Sequence, residues 1–162
     1  MEPADFVRMI WDEQQQSGYG IISVKDTEGG FRNFAYEIPG EVHLPDTLGD
    51  LYFAPNLFSR PKRRKEFVLP SWWLYADLDA IDPNVINPRP TVAWQSSPGR
   101  FQCLWLGNRI LHPQEHGELN KRLTYYIKAD KGGWDATQVL RIPGTRNYKY
   151  PSKPKVKLLW TE

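Results

Sequence analysis

The chain contains 162 residues, of which 40% are hydrophobic and 25% are charged. This length is enough for one domain with its own core, and the composition excludes a disordered or collagen-like chain. The single cysteine, Cys103, excludes an intrachain disulfide framework and a zinc site built mainly from thiolates. No apolar run reaches the roughly 18 residues of a membrane helix. The N-terminus lacks a signal-peptide pattern, so we expect a soluble cytoplasmic protein that does not bind membranes.

The net charge is only +2, but the charges are segregated along the chain. The six-residue stretch from Arg60 to Lys65 carries five bases, and the segment from Lys149 to Lys157 is basic as well. Acidic residues gather instead between Asp77 and Asp82. Because a cluster of one sign attracts ligands of the opposite sign, we expect the basic stretch to attract anions.

Hydrophobic residues at helical spacing predict two helices, and alternating runs bounded by Gly and Pro predict the strands. In chain order, the predicted elements are a helix at 4–16, strands at 19–25, 31–38, 51–58, 71–80, 91–95 and 100–106, a helix at 112–129, and strands at 139–142 and 156–160. The second helix is expected to turn Leu119, Leu123, Tyr126 and Ile127 towards the core. This order predicts an α+β fold with a mostly antiparallel sheet and helices on one side.

Two acidic residues share one face of the predicted strand 71–80. Period-2 alternation gives this strand two faces, one with Trp72, Leu74, Ala76, Leu78 and Ala80, and the other with Trp73, Tyr75, Asp77 and Asp79. The Cα atoms of Asp77 and Asp79 are about 6.6 Å apart in an extended strand, so the carboxylates repel each other unless a cation lies between them. Hard oxygen ligands favour Mg²⁺ or Mn²⁺. Solvation of both acids on an outward face is the alternative interpretation.

A predicted hairpin turn, S-P-G-R-F-Q, follows at residues 97–102. Gly99 allows the backbone to approach a ligand closely, and the neighbouring amides can bind phosphate oxygens. Arg100 and Gln102 lie on one face of the outgoing strand, where one supplies a cation and the other a neutral donor and acceptor. Alone, this motif is also compatible with an ordinary turn.

A third polar motif begins at Asp135 and continues through R-I-P-G-T-R-N-Y-K at residues 141–149. Arg141 lies on a predicted strand, and the Pro-Gly turn after it presents Thr145, Asn147 and Lys149. These side chains can bind phosphate or sugar, although polar residues after such a turn are common.

In the order and spacing of its three motifs, the sequence resembles the archaeo-eukaryotic primase superfamily, and within it the RepB-like primases of plasmids and phages. The resemblance covers about residues 50–150: a hydrophobic run ending D-L-D, then S-P-G-R-F-Q-x-x-W, a helix, and D-x-x-x-x-x-R-I-P-G-T-R-N-x-K. It implies a single primase-polymerase catalytic domain over 1–162. An N-terminal αβ unit at about 1–66 would join an RRM-like catalytic unit at about 67–162, with the active site in the cleft between them.

The resemblance also implies a metal-dependent nucleotidyltransferase that makes or extends primers on single-stranded DNA during plasmid or phage replication. The acids of the family motifs match Asp77, Asp79 and Asp135, which would be catalytic and would hold two Mg²⁺ or Mn²⁺ ions. A separate helicase or replication initiator is a further partner that the resemblance allows. The residues expected to bind the nucleoside triphosphate are Ser97, Gly99, Arg100, Gln102, Arg141, Thr145, Asn147 and Lys149, and those expected to bind the template are Arg60, Lys62, Arg63, Arg64 and Lys65.

Gln102 departs from the family pattern, in which a histidine at this place usually contacts the nucleotide phosphates. A glutamine cannot become a cation. We therefore expect Arg100, Arg141 or Lys149 to supply the missing charge.

Three alternative functions stay open. An RRM-like module could stack single-stranded nucleic acid on exposed aromatic rings such as Trp73, Tyr75 and Trp105. A metal-dependent nuclease or nicking initiator is the second alternative, but the histidines are scattered, and His112 and His116 have no third ligand. We expect a structural or surface role for those two histidines. A degenerate, non-catalytic primase fold is the third.

Overall fold

Two antiparallel sheets and two helices build the fold in a computed structural model that describes residues 1–162. In chain order the elements are α1 (Pro3–Asp12), β1 (Gly18–Lys25), β2 (Phe31–Ile38), β3 (Asp50–Phe53), β4 (Ser71–Asp79), β5 (Val92–Ser97), β6 (Arg100–Leu111), α2 (Pro113–Ile127), β7 (Leu140–Arg141) and β8 (Lys157–Thr161), with short 3-10 helices at Lys65–Phe67 and Pro83–Val85. The expected α+β class with antiparallel strands is confirmed. Neither helix has the length and apolar character that crossing a membrane requires.

The first sheet has the strand order β2-β1-β3-β7. β1 and β2 form the predicted hairpin and pair from Gly18 opposite Ile38 to Lys25 opposite Phe31. β7 comes from the C-terminal half of the chain and pairs with β3, so that Arg141 lies opposite Tyr52. The largest hydrophobic cluster takes residues from α1 and from both sheets. The division into units near residue 66 stays a prediction.

The second sheet has the order β4-β6-β5-β8 and contains the predicted hairpin of β5 and β6. Gly99 turns this hairpin with a φ of +76°, a conformation that glycine adopts without strain. The alternation predicted for β4 is also present. Trp73 and Tyr75 enter the main core, whereas Ala76 and Leu78 enter a second cluster that packs against α2.

Helix α2 covers the free edge of β4, and its polar side chains form hydrogen bonds with the backbone groups of that edge. Asn120 Oδ1 accepts a hydrogen bond from the Tyr75 N–H at 2.9 Å, and His116 Nε2 donates to the Trp73 carbonyl at 2.7 Å. The structural role expected for His116 is therefore confirmed. The core position expected for Tyr126 is wrong, since its side chain is 75% exposed. The helix contacts an open strand edge, so polar residues occupy the centre of its buried side.

Candidate active site

A cavity of about 410 Å³ lies where the end of β4 meets the β5–β6 turn and β7. Residues of all three sequence motifs line it, together with residues from the first sheet and the α2–β7 connection. The cavity therefore lies between the two sheets. Its lining residues are Tyr52, Asp77, Asp79, Ser96, Ser97, Arg100, Gln102, Asp130, Gln138, Val139, Arg141, Asn147, Lys149 and Tyr150.

Asp77 is half-buried near the end of β4, directly opposite Gln102 on β6. Burial raises the pKa of the Asp77 carboxyl above its ordinary value, and the negative charge of Asp130 acts in the same direction. The Gln102 amide and two guanidinium groups, those of Arg100 and Arg141, lower the pKa but do not offset the burial. Asp130 is held nearby because its N–H donates to the Asp77 carbonyl at 2.9 Å. Such an environment favours a cation beside the carboxylate.

Asp79 lies after a β-bulge that interrupts the pairing of β4 with β6. It adopts a positive φ of 53°, and its N–H donates to Asp77 Oδ1 at 3.2 Å. The exposed Asp79 carboxylate forms an ion pair with Arg100. The bulge thus brings both acids and one arginine to the mouth of the cavity.

Gln102 is buried and connects three strands. Its Oε1 accepts hydrogen bonds from Trp94 Nε1 at 3.1 Å and from the Arg141 N–H at 3.0 Å. These two bonds orient the amide so that its nitrogen faces Asp77. An imidazole nitrogen has a single lone pair and could not accept both bonds. The departure from histidine at this place therefore gives Gln102 a structural role in joining β5, β6 and β7.

Arg141 is held by a buried ion pair with Asp50, the first residue of β3. The atoms Nη1 and Oδ1 are 2.8 Å apart, and the two side chains are only 10% and 11% exposed. The guanidinium also lies over the Tyr52 ring, 4.9 Å from its centroid. Asp50 is a site residue that the sequence reasoning missed, because 91 positions separate it from Arg141 and no local motif marks it.

The structure brings together most of the residues predicted to bind a nucleotide. Asn147 is buried and donates from Nδ2 to the Ser96 carbonyl at 2.8 Å, which fixes the loop after β7. Gly99 and Thr145 do not line the cavity. Tyr150 lines it and was missed by the sequence reasoning. The pKa of its phenol is lowered first by a hydrogen bond with Ser97.

The three predicted acids do not all line the cavity. Asp135 is outside it, and its Oδ2 accepts a hydrogen bond from Thr137 Oγ1 at 2.9 Å. The Asp135 carbonyl accepts from the Tyr75 hydroxyl at 2.7 Å. Asp130, five residues earlier, lies in the cavity beside Asp77. Neither the spacing nor the motif pointed to Asp130.

No group of three His, Cys, Asp or Glu side chains is arranged as a metal site. The donor chemistry of the cavity nevertheless fits a hard divalent cation, because Asp77, Asp79 and Asp130 supply carboxylate oxygens.

The basic loop at residues 59–66 is exposed apart from Arg63, which is half-buried. Arg63 donates from Nη1 to the Thr137 carbonyl at 3.0 Å, so this side chain is anchored to the fold. The four exposed bases of the predicted template-binding set do not line the cavity; they are Arg60, Lys62, Arg64 and Lys65.

The alternative of an RRM-like binding module depends on three exposed aromatic rings, and the exposure expected for them is wrong. Trp73, Tyr75 and Trp105 are all buried in the core, so none of them can stack on a base. Cys103 is buried as well.

A model of the RepB DNA-primase N-terminal domain family matches residues 60–162 of the chain. No curated protein matches. The catalytic domain of primase RepB′, solved in complex with initiator DNA, superimposes with a TM-score of 0.69 and 16% identity, covering 99% of this chain and 86% of that chain. The AEP domain of the cyanophage S-2L primase-polymerase gives a TM-score of 0.72 at 10% identity, covering 98% of this chain and 90% of that chain. A further RepB′ structure gives 0.64 at 18% identity, covering 96% of this chain and 56% of that chain. At these identities, the three structures establish a shared fold.

Proposed function

This chain belongs to the RepB DNA-primase N-terminal domain family, a family of DNA primases. We propose that it joins nucleotides on a single-stranded DNA template by metal-dependent nucleotidyl transfer. One observation carries the proposal. A single cavity between the two sheets gathers the carboxylates of Asp77 and Asp79 beside the guanidinium groups of Arg100 and Arg141. Carboxylates suit a divalent cation, and the adjoining arginines suit the phosphates of a nucleotide. The RepB′ complex with initiator DNA supports DNA as the template.

Asp77 and Asp79, with a third acid, would hold two Mg²⁺ or Mn²⁺ ions. Such ions activate the attacking hydroxyl and neutralise charge on the phosphates in nucleotidyl transfer.

The remaining side chains act on the phosphates directly. Arg141 is prealigned by Asp50 and Tyr52, so that it can bind a phosphate oxygen without losing further side-chain entropy. Arg100, which pairs with Asp79, would be free to bind a phosphate oxygen if Asp79 held a metal ion. Gln102 donates a neutral hydrogen bond from its fixed amide nitrogen. Together these groups stabilise the charge that develops on the pyrophosphate leaving group.

The template would lie along the basic loop at residues 59–66. Its exposed bases bind backbone phosphates and do not read the sequence. Affinity for single-stranded DNA should therefore fall steeply as the salt concentration rises. A plot of the logarithm of the binding constant against the logarithm of the salt concentration should have a slope of about −0.7 for each phosphate that is neutralised.

The variant Asp77→Asn tests the proposal through nucleotide incorporation on a single-stranded template with Mn²⁺. Loss of a metal-binding carboxylate should reduce incorporation by more than about 100-fold, because metal ions supply several kcal/mol of transition-state stabilisation. Binding of the template should change little. Glu118→Gln, on the exposed side of α2, is the matched control and should incorporate normally.

Unfolding measurements separate a functional loss from a folding defect. Because the pKa of Asp77 is raised in the folded chain, the folded state binds its proton more readily than the unfolded state does. The ionised carboxylate therefore destabilises the metal-free fold above the ordinary Asp pKa of about 4, and this effect disappears at lower pH. Asp77→Asn should be at least as stable as the wild type at neutral pH. Undiminished incorporation by this stable variant would refute the proposed function.

A further inference from the structure

One face of the first sheet points away from α1 and the main core. Directly opposite residues of antiparallel strands share a face, and the pairing of Phe31 with Lys25 and of Lys25 with Asp50 defines one row on it. Tyr52 and Arg141 belong to the next row. The core side chains of these strands, such as Ile22 and Val24, alternate to the opposite face. The face that points away from the core therefore carries charged and aromatic side chains.

Four side chains on or above this face are linked by pairwise contacts. The Arg63 guanidinium lies 5.9 Å from the centroid of the Phe31 ring. Phe31 stacks on Tyr52 with ring centroids 5.8 Å apart and planes inclined by 29°, and Arg141 lies over the other ring. Phe31 is nevertheless 46% exposed. These contacts lead from the basic loop to the active-site cavity, and the exposed part of the Phe31 ring is open to solvent.

A second cavity of about 450 Å³ lies on the same face. Its lining includes Lys25, Asp50 and Tyr148, and it shares Tyr52, Arg141 and Lys149 with the active-site cavity. The two cavities therefore adjoin through these three shared residues, and the open face leads directly to the proposed site of chemistry.

The chemistry of this face fits single-stranded nucleic acid. An exposed aromatic ring offers a stacking surface to any base, and arginines beside it attract the phosphates. Two acids line the second cavity, Asp26 and Asp50, and Asp50 is neutralised by Arg141. Lys25 and Lys149 outweigh the remaining charge of Asp26, so the lining keeps a net positive charge. An apolar protein partner would leave these cations without counter-charges.

We propose that Phe31, backed by Tyr52, forms a stacking platform for the bases of the single strand that enters the active site, with Arg63 lying beside the Phe31 ring. This inference rests on the proposed function, since it identifies how the template is bound. The basic loop binds the phosphates of the template, and the platform binds its bases.

The test compares two end-labelled oligonucleotides of equal length by fluorescence anisotropy. One is oligo-deoxythymidine and the other carries abasic sugars with the same phosphates. Phe31→Ala should weaken binding of oligo-deoxythymidine by about 5- to 150-fold, the range expected for loss of one base–aromatic stack. Binding of the abasic strand should not change, nor should the salt dependence. Phe31→Trp should restore or increase the affinity.

Tyr126→Ala is the matched control, because Tyr126 is also an exposed aromatic residue but lies on α2. It should bind both strands like the wild type. Equal affinity of Phe31→Ala and wild type for oligo-deoxythymidine would overturn the inference, and so would an equal loss of affinity for the abasic strand.

The outcome distinguishes this inference from the proposed function. If the wild type incorporates nucleotides but Phe31→Ala binds and extends templates normally, the stacking platform is refuted alone. If Phe31 contributes to base binding as expected but the wild type incorporates no nucleotide with Mg²⁺ or Mn²⁺, the platform is supported and the proposed catalysis is refuted.

Discussion

Asp77 and Gln102 face each other across β4 and β6, and they contribute to the fold in opposite ways. Gln102 satisfies two buried N–H donors and stabilises the junction of three strands. Asp77 has its pKa raised by burial, which means that its ionised form is destabilising without a partner cation. Residues that cost stability in this way occur frequently at functional sites.

The identity of the third acid is decided by comparing Asp130→Asn with Asp135→Asn. Both substitutions remove one charge while keeping the size of the side chain. We expect Asp130→Asn to lower incorporation by at least about 10-fold, because Asp130 lines the cavity and contributes to its negative charge. Asp135→Asn should have a smaller effect on incorporation, since its carboxylate is outside the cavity.

A titration with Mn²⁺ extends this comparison. If Asp130 contributes to cation binding, its variant needs more Mn²⁺ for half-maximal activity, whereas the Asp135 variant keeps the wild-type requirement. The opposite ranking would assign the third acid to Asp135.

At the scale of secondary-structure elements, the main feature is the edge of β4. A free strand edge exposes unpaired backbone groups and invites pairing with another chain. Here α2 covers the edge, and His116 and Asn120 make the hydrogen bonds that a neighbouring strand would make. Asn120 also donates from Nδ2 to the Trp134 carbonyl at 3.1 Å. The strand that carries Asp77 is thereby held on both sides.

Acid should destabilise the fold through His116. Burial lowers the pKa of this histidine, so the unfolded chain takes up the proton at a higher pH than the folded chain does. The contribution of His116 to the free energy of unfolding should therefore be greatest above the ordinary histidine pKa of about 6.5 and should fall as the pH drops below it. Urea unfolding at several pH values between about 5 and 8 measures this dependence.

His116→Gln should flatten the pH dependence, because glutamine keeps an N–H donor but does not titrate in this range. The control is His112→Gln, since His112 is exposed immediately before α2. It should keep the wild-type dependence. A His116→Gln variant whose stability still falls like that of the wild type would assign the acid sensitivity to another group.

At the scale of the whole molecule, Arg141 joins the two sheets. Its backbone N–H bonds to Gln102 in the second sheet, and its guanidinium pairs with Asp50 in the first. Asp50 Oδ1 also accepts from the Tyr148 N–H at 2.7 Å, which ties down the loop after β7. One buried ion pair therefore sets the position of the cavity wall.

Removing one partner of this pair should be costly. Asp50→Leu leaves a buried, unpaired guanidinium and should lower the free energy of unfolding by about 3–5 kcal/mol. Adding Arg141→Met should recover most of that loss, because two apolar side chains can replace a buried ion pair. Incorporation should stay low in the double variant, since the proposed phosphate ligand is absent.

Chemical denaturation measures these changes, and the exposed ion pair of Asp5 and Arg8 provides the control. Asp5→Ala should cost no more than about 1 kcal/mol, as is usual for pairs at the surface. A double variant that recovers both stability and activity would show that Arg141 has only a structural role.

Local patterns determined much of this fold. Alternation along 71–80 identified β4 and placed Trp73 and Tyr75 opposite Ala76 and Leu78, and the Pro-Gly turn identified the β5–β6 hairpin. Such features depend on neighbours a few positions apart, and the sequence displays those neighbours directly. The order of the three motifs likewise identified the family.

Only the tertiary structure decided which distant residues meet. Asp50 and Arg141 are 91 positions apart, and the stack of Phe31 on Tyr52 depends on how β1 aligns β2 and β3. Tyr126 has the spacing of a core residue but is exposed, because α2 packs its polar side against a strand edge. Contacts between distant segments follow from the register and packing of whole elements, and one segment alone carries too little information to specify them.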